Sequence, residues 1–127
     1  MELFNCFSGS VVHGAKMGRK MGFPTLNISV DKGNTPEDGV YAVSVKIDGK
    51  QHVGVMSIGC RPTFSDKNNK TTEIHLLDVN KDYYGITAEV MPLIFIRQNI
   101  KFNSADELKS QIEKDKNFAK NYFQTSN

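Results

Sequence analysis

Residues 41–47 read YAVSVKI, and after Asp48-Gly49 the chain returns through QHVGVMSIG over residues 51–59. Strict alternation puts Tyr41, Val43, Val45 and Ile47 on one face and Ala42, Ser44 and Lys46 on the other, which predicts a half-buried strand. Asp-Gly is the pair suited to a two-residue turn, so the two runs are expected to be antiparallel neighbours. Similar runs occur at 7–12, 23–30, 72–79 and 86–96, each bounded by Gly, Asn, Asp or Lys clusters. Six strands with no helix between them imply a closed or nearly closed antiparallel barrel.

A helical period arrives only near the end. Ser104-Ala105-Asp106-Glu107 has the spacing of a capping box, and Leu108, Ile112, Ala119, Tyr122 and Phe123 then repeat at helical intervals. The expectation is an all-β domain over residues 1–127, with strands between about 7 and 96. A helix over about 104–123 packs its apolar stripe on the barrel. At 127 residues the chain is large enough to bury a core without disulfide or metal staples. No run approaches the ~18 apolar residues of a membrane span, and no signal-peptide pattern opens the sequence. A cytoplasmic location follows as an expectation, with Cys6 and Cys60 as two buried thiols. The net charge of +2 is too small to argue for duplex binding, so any anion site must be local. His13, His52 and His75 show no metal-ligand spacing.

The stretch GRKMGFPTLN, residues 18–27, places glycines and cations at the entrance to a strand. Gly14, Gly18 and Gly22 are spaced by four. Neither G-x-x-x-x-G-K-[ST] nor G-x-G-x-x-G passes through them, and a P-loop is excluded. Phosphate bound here would be held by backbone amides together with Lys16, Arg19 and Lys20; otherwise the segment is a solvated basic loop. Thr25 and Asn27, two apart on a strand, share a face and end in neutral oxygen. That suits a hard cation such as Mg²⁺ whose charge is balanced by nucleotide phosphates, although turn chemistry would use the same residues. In TTEIHLLD, Glu73, His75 and Leu77 share one face and Ile74, Leu76 and Asp78 the other. Glu73 there is either a solvated face residue or a base held near a substrate. Two polar loops, 31–38 and 65–71, stand out; loops of this kind are usually just solvated and mobile, but they are also where lids occur.

Taken together these residues resemble the riboflavin kinase (flavokinase) family. GSVVHGAKMGRKMGFPTLN, residues 9–27, is similar to the family's G-x-V-x-x-G signature followed by G-R and G-F-P-T-x-N. GVYAVSVKIDGK, SIGCRPTF, TEIHLLD, DYYG and the tail from IRQNIKF to DELKSQIEKD follow in the family's order. The resemblance implies a six-stranded Greek-key barrel with a C-terminal helix and an enzyme that uses ATP and Mg²⁺ to convert riboflavin to FMN. It makes Glu73 the catalytic base, Thr25 and Asn27 ligands of magnesium and ATP, and places Gly14 and Arg19 in a phosphate-binding flap. Leu76, Asp78 and Tyr84 match positions near the nucleotide, and Arg97 and Phe102 match positions on the flavin side. Bacterial relatives commonly carry this domain behind an adenylyltransferase domain in a longer chain. One departure is visible: where the family reads close to R-x-E-x-K-F, Gln98-Asn99-Ile100 intervenes here and the acid is gone.

Two other classes compete. A flavin-binding module without catalysis would not need Thr25, Asn27 and Glu73 together. A barrel that binds single-stranded nucleic acid would expose aromatics along a basic groove, whereas Tyr41 and Phe95 lie on strand faces that read as buried. The expected partners are therefore small molecules, with no nucleic acid and no membrane.

Overall fold

The computed structural model describes residues 4–12, 25–30, 35–60 and 70–125. Six strands, β1 (Phe7–Val12), β2 (Leu26–Ser29), β3 (Gly39–Ile47), β4 (Lys50–Cys60), β5 (Lys70–Leu76) and β6 (Thr87–Arg97), precede one helix, α1 (Ala105–Thr125). They close into an antiparallel barrel in the order β1-β2-β5-β4-β3-β6. β3, β4 and β5 follow one another as a meander and β6 returns beside β3, which is the Greek-key connection.

The β3–β4 hairpin runs in uninterrupted register from Gly39 opposite Ile58 to Ile47 opposite Lys50. Asp48 and Gly49 both have positive φ, 54° and 77°, as a primed two-residue turn requires. The alternating residues Tyr41, Val43, Val45 and Ile47 join Leu26, Ile28, Met56, Ile58, Ile74 and Val90 in the interior. The other face of β3 is drier than alternation predicts. Val40 and Ala42 are 3% and 0% exposed although they stand outside the interior cluster. α1 contacts the adjacent strand β4 and buries Ala119 completely, so the helix covers an outer wall of the barrel.

Several boundaries differ from the sequence reading. β5 begins at Lys70 and ends at Leu76, so Lys70 and Thr71 are ladder residues and not loop. Leu77 continues the pairing through the hydrogen bond that its amide donates to the Val53 carbonyl, 2.8 Å. Beyond it Asp78 turns aside to pair with a β4 side chain. Phe95, expected to be buried, is 40% exposed. Ala42 faces Ile94 but Val43 faces Pro92, and Val40 faces Arg97 but Tyr41 faces Phe95. Leu93 and Ile96 are thus extra residues on β6, and the shift at Leu93 brings Phe95 opposite Tyr41, ring edge to ring face with centroids 5.3 Å apart, while leaving it partly open to solvent. Cys6 is exposed, since Phe7 beside it takes the interior position. Of the polar loops, residues 65–69 and 31–34 lie outside the described residues.

Candidate active site

β2 and β5 are neighbours, and their register places Asn27 directly opposite Glu73, with Leu26 opposite Ile74. Leu26, Ile28 and Ile74 point into the core, so alternation turns Asn27 and Glu73 outward on the same face. Directly opposed residues have Cβ atoms about 4.5–5.5 Å apart, which makes the two side chains immediate neighbours. On its other side Glu73 faces Ser57 of β4, and His75 faces Val55. Thr25 immediately precedes β2 and, one ladder step before Leu26, stands level with His75. Thr25, Asn27, Glu73 and His75 are all half-buried, and residues far apart in sequence form one polar patch.

The donor set suits a particular kind of ion. Among the described residues no group of three or more His, Cys, Asp or Glu side chains could cage a metal. Thr25 and Asn27 add two neutral oxygens. That set fits a hard cation brought in with phosphate oxygens and water, and does not fit a resident soft-metal site.

The remaining candidates lie toward the two ends of β4. At one end His52 and Asp78 pair, Nδ1 to Oδ2, at 2.9 Å, with the Tyr83 ring 6.0 Å from the imidazole. His52 is 9% exposed, and its Nε2 is buried without a hydrogen-bond partner. Tyr84 is 56% exposed at the turn with Gly85, and its amide donates to Asp82 Oδ1 at 2.9 Å. Leu76 belongs to the interior core, so its side chain faces away from the outer patch. At the other end, Arg97 terminates β6. Its Nε and Nη2 donate to the two oxygens of Asp115 at 2.9 and 2.7 Å, and Nη1 donates to the Gln98 carbonyl at 3.0 Å. The guanidinium also stands 6.0 Å from the Phe102 ring centroid. Gly14 and Arg19, with Lys16 and Lys20, lie outside the described residues.

Asp115 is the residue that sequence reasoning missed. It is 4% exposed and also accepts from Gln111 Nε2 at 3.0 Å. A signal was available: the apolar stripe steps from Ile112 to Ala119, and position 115 falls on the same face between them. A charged residue on that face needs a buried partner, and Arg97 is the partner. Asn99, which stands where the family pattern has an acid, donates from Nδ2 to the Ile58 carbonyl at 3.0 Å.

A small closed barrel thus carries a carboxylate and two neutral oxygen side chains on its outer wall, a donor set of the kind that phosphoryl transfer can use. Comparison with known proteins makes this specific. The riboflavin kinase family model (Flavokinase) matches residues 3–123, and the chain belongs to that family. The family's known reaction is phosphorylation of riboflavin to FMN, with ATP as the other substrate. A bifunctional riboflavin kinase/FMN adenylyltransferase of Listeria monocytogenes is 40% identical over 91% of this chain and 37% of its own length. An RNA-binding riboflavin kinase, RibR, of Bacillus subtilis is 42% identical over 85% of this chain and 46% of its own. Among solved structures, one titled as a macrolide-efflux protein from Streptococcus pneumoniae superposes with a TM-score of 0.83 at 37% identity, covering 91% of this chain and 38% of that one. Riboflavin kinase from Trypanosoma brucei superposes with a TM-score of 0.65 at 26% identity, covering 94% and 79%. The chain spans between a third and a half of the length of these curated relatives. Among the described residues no helix is long and apolar enough to cross a membrane.

Proposed function

We propose that this chain is a single riboflavin kinase domain, residues 1–127. It transfers the γ-phosphoryl group of Mg-ATP to the ribityl 5′-hydroxyl of riboflavin, giving FMN and ADP. The observation that carries the reading is the placement of Glu73 directly opposite Asn27, between two clusters at opposite ends of β4. His52 and Ile58, which mark those ends, are about 20 Å apart along the strand at ~3.3 Å per residue. Glu73 faces Ser57, one residue from the Ile58 end, so in this reading a flavin held by Arg97 and Phe102 has its reactive hydroxyl close to the base and the nucleotide runs toward it from the Asp78 and Tyr84 end.

In this arrangement Glu73 accepts a hydrogen bond from the ribityl hydroxyl, orients its lone pair toward the phosphorus and takes the proton as the new P–O bond forms and the bond to ADP breaks. Thr25 and Asn27 would hold Mg²⁺ through their neutral oxygens, and the ion would supply charge neutralisation to the phosphates. Gly14 and Arg19 act in the phosphate-binding flap, with Asp78, Tyr84 and the backbone of Leu76, whose side chain lies in the core, toward the nucleotide. Arg97 and Phe102 serve the flavin, the guanidinium oriented by its pairing with Asp115. Little covalent chemistry falls to the protein, so positioning and electrostatics carry the rate.

The reading extends to a cytoplasmic enzyme that acts on small molecules, without nucleic acid or membrane as partner, and that joins an adenylyltransferase domain where the parent chain is longer. The test is incubation with riboflavin, ATP and Mg²⁺, with chromatographic separation of the flavins. FMN that forms only when ATP and Mg²⁺ are both present supports the assignment. Riboflavin binding without any FMN would instead identify a binding module.

A further inference from the structure

The segment that departs from the family pattern makes a contact of its own. β3 starts at Gly39, which faces Ile58 of β4 on one side, and its next residue, Val40, faces Arg97 of β6 on the other. Asn99, two residues beyond Arg97, reaches past the start of β3 and donates its amide to the Ile58 carbonyl at 3.0 Å, joining segments 41 residues apart. The orientation of the amide is unambiguous, because a carbonyl accepts and only Nδ2 can donate. The neighbouring residue leaves room for it: a Cβ on Gly59 would stand 2.8 Å from Asn99 Nδ2, closer than real Cβ contacts. Ile58 and Gly59 in turn face Thr72 and Thr71 of β5, and Ser57 faces Glu73.

We propose that Asn99 is a positioning residue for the flavin. It staples the segment that carries Arg97 and Phe102 to the end of β4 beside Glu73's strand, and so sets the spacing between the flavin-side residues and the base. The family's acid at this position could not make the bond, since a carboxylate has no donor and its oxygen would oppose the Ile58 oxygen. The contact is thus a different solution, built from an amide and a glycine that makes room for it. This inference rests on the kinase reading above.

The test uses Asn99→Asp, Asn99→Ala, Gly59→Ala and the Asn99→Ala/Gly59→Ala double variant. Riboflavin affinity is read by flavin fluorescence quenching and turnover by steady-state kinetics in riboflavin and in Mg-ATP. Loss of one hydrogen bond corresponds to a weakening of riboflavin binding by about threefold to tenfold in Asn99→Asp. kcat/KM for riboflavin should fall by at least as much, while KM for Mg-ATP stays within about twofold. Gly59→Ala pushes the amide away and should weaken riboflavin similarly, yet add nothing in the Asn99→Ala background. Riboflavin affinity unchanged in Asn99→Asp, equal losses for riboflavin and Mg-ATP, or additive effects of Gly59→Ala and Asn99→Ala would overturn the proposal. Failure of the unmodified protein to convert riboflavin would overturn the kinase reading and this proposal with it, whereas normal conversion with indifferent variants would overturn this proposal alone.

Discussion

Glu73 and Thr25 sit on one polar patch but should fail in different ways. Glu73→Gln preserves shape and hydrogen-bonding reach while removing the base, so kcat should fall by about 10² to 10⁴ with riboflavin and nucleotide affinities within a few fold. Near wild-type turnover would reduce the carboxylate to a face residue. Thr25→Ala removes a neutral oxygen and should instead raise KM for Mg-ATP, with the loss partly recovered at high Mg²⁺; stopped-time assays across Mg²⁺ concentrations separate the two variants. The Arg97–Asp115 pair acts on stability as well. Asp115 is buried and Arg97 keeps 18% side-chain exposure, so Asp115→Ala leaves a largely desolvated guanidinium without its carboxylate. The expected loss is about 3 kcal/mol, the low end for breaking a buried pair, measured by urea unfolding.

At the scale of elements, the strands were legible wherever local alternation and turn chemistry agreed. The range 7–12 of β1 and the Asp48-Gly49 turn were read as they stand, because both follow from side-chain period and φ preference. Half of the capping box is present as read: Glu107 N donates to Ser104 Oγ at 3.1 Å, while the Glu107 carboxylate accepts from the amide of Asn103, one residue before the cap, at 2.9 Å. The bulges at Leu93 and Ile96 were not legible, since they arise from the fit of β6 against β3 and not from the residues of β6 alone. Closure of the barrel also explains a glycine whose need is invisible in its own strand. A Cβ on Gly9 would lie 2.2 Å from the Ser29 carbonyl oxygen of β2, a backbone atom that cannot swing away. Gly9→Ala should therefore destabilise the protein by about 1–3 kcal/mol through overpacking, lowering the urea midpoint without changing the slope. An unchanged midpoint would mean that β1 shifts freely against β2.

For the whole molecule, the proposed chemistry ends at FMN. The chain carries no H-x-G-H-type adenylyltransferase element, so pure protein supplied with FMN and ATP should yield no FAD; its accumulation in a chromatographic assay would show a second activity. The sequence by itself determined the strand count, the terminal helix and the residue types able to serve phosphoryl transfer. Those depend on periodicity, turn preference and side-chain chemistry, all of which act over a few residues. Only the tertiary structure decided that Asn27 and Glu73 face each other, that Asp115 is the partner of Arg97, and that Asn99 reaches Ile58. Each of these joins residues brought together by barrel register or by the docking of the helix. Register is set by the simultaneous burial of six strands around one core, a constraint that no single segment contains.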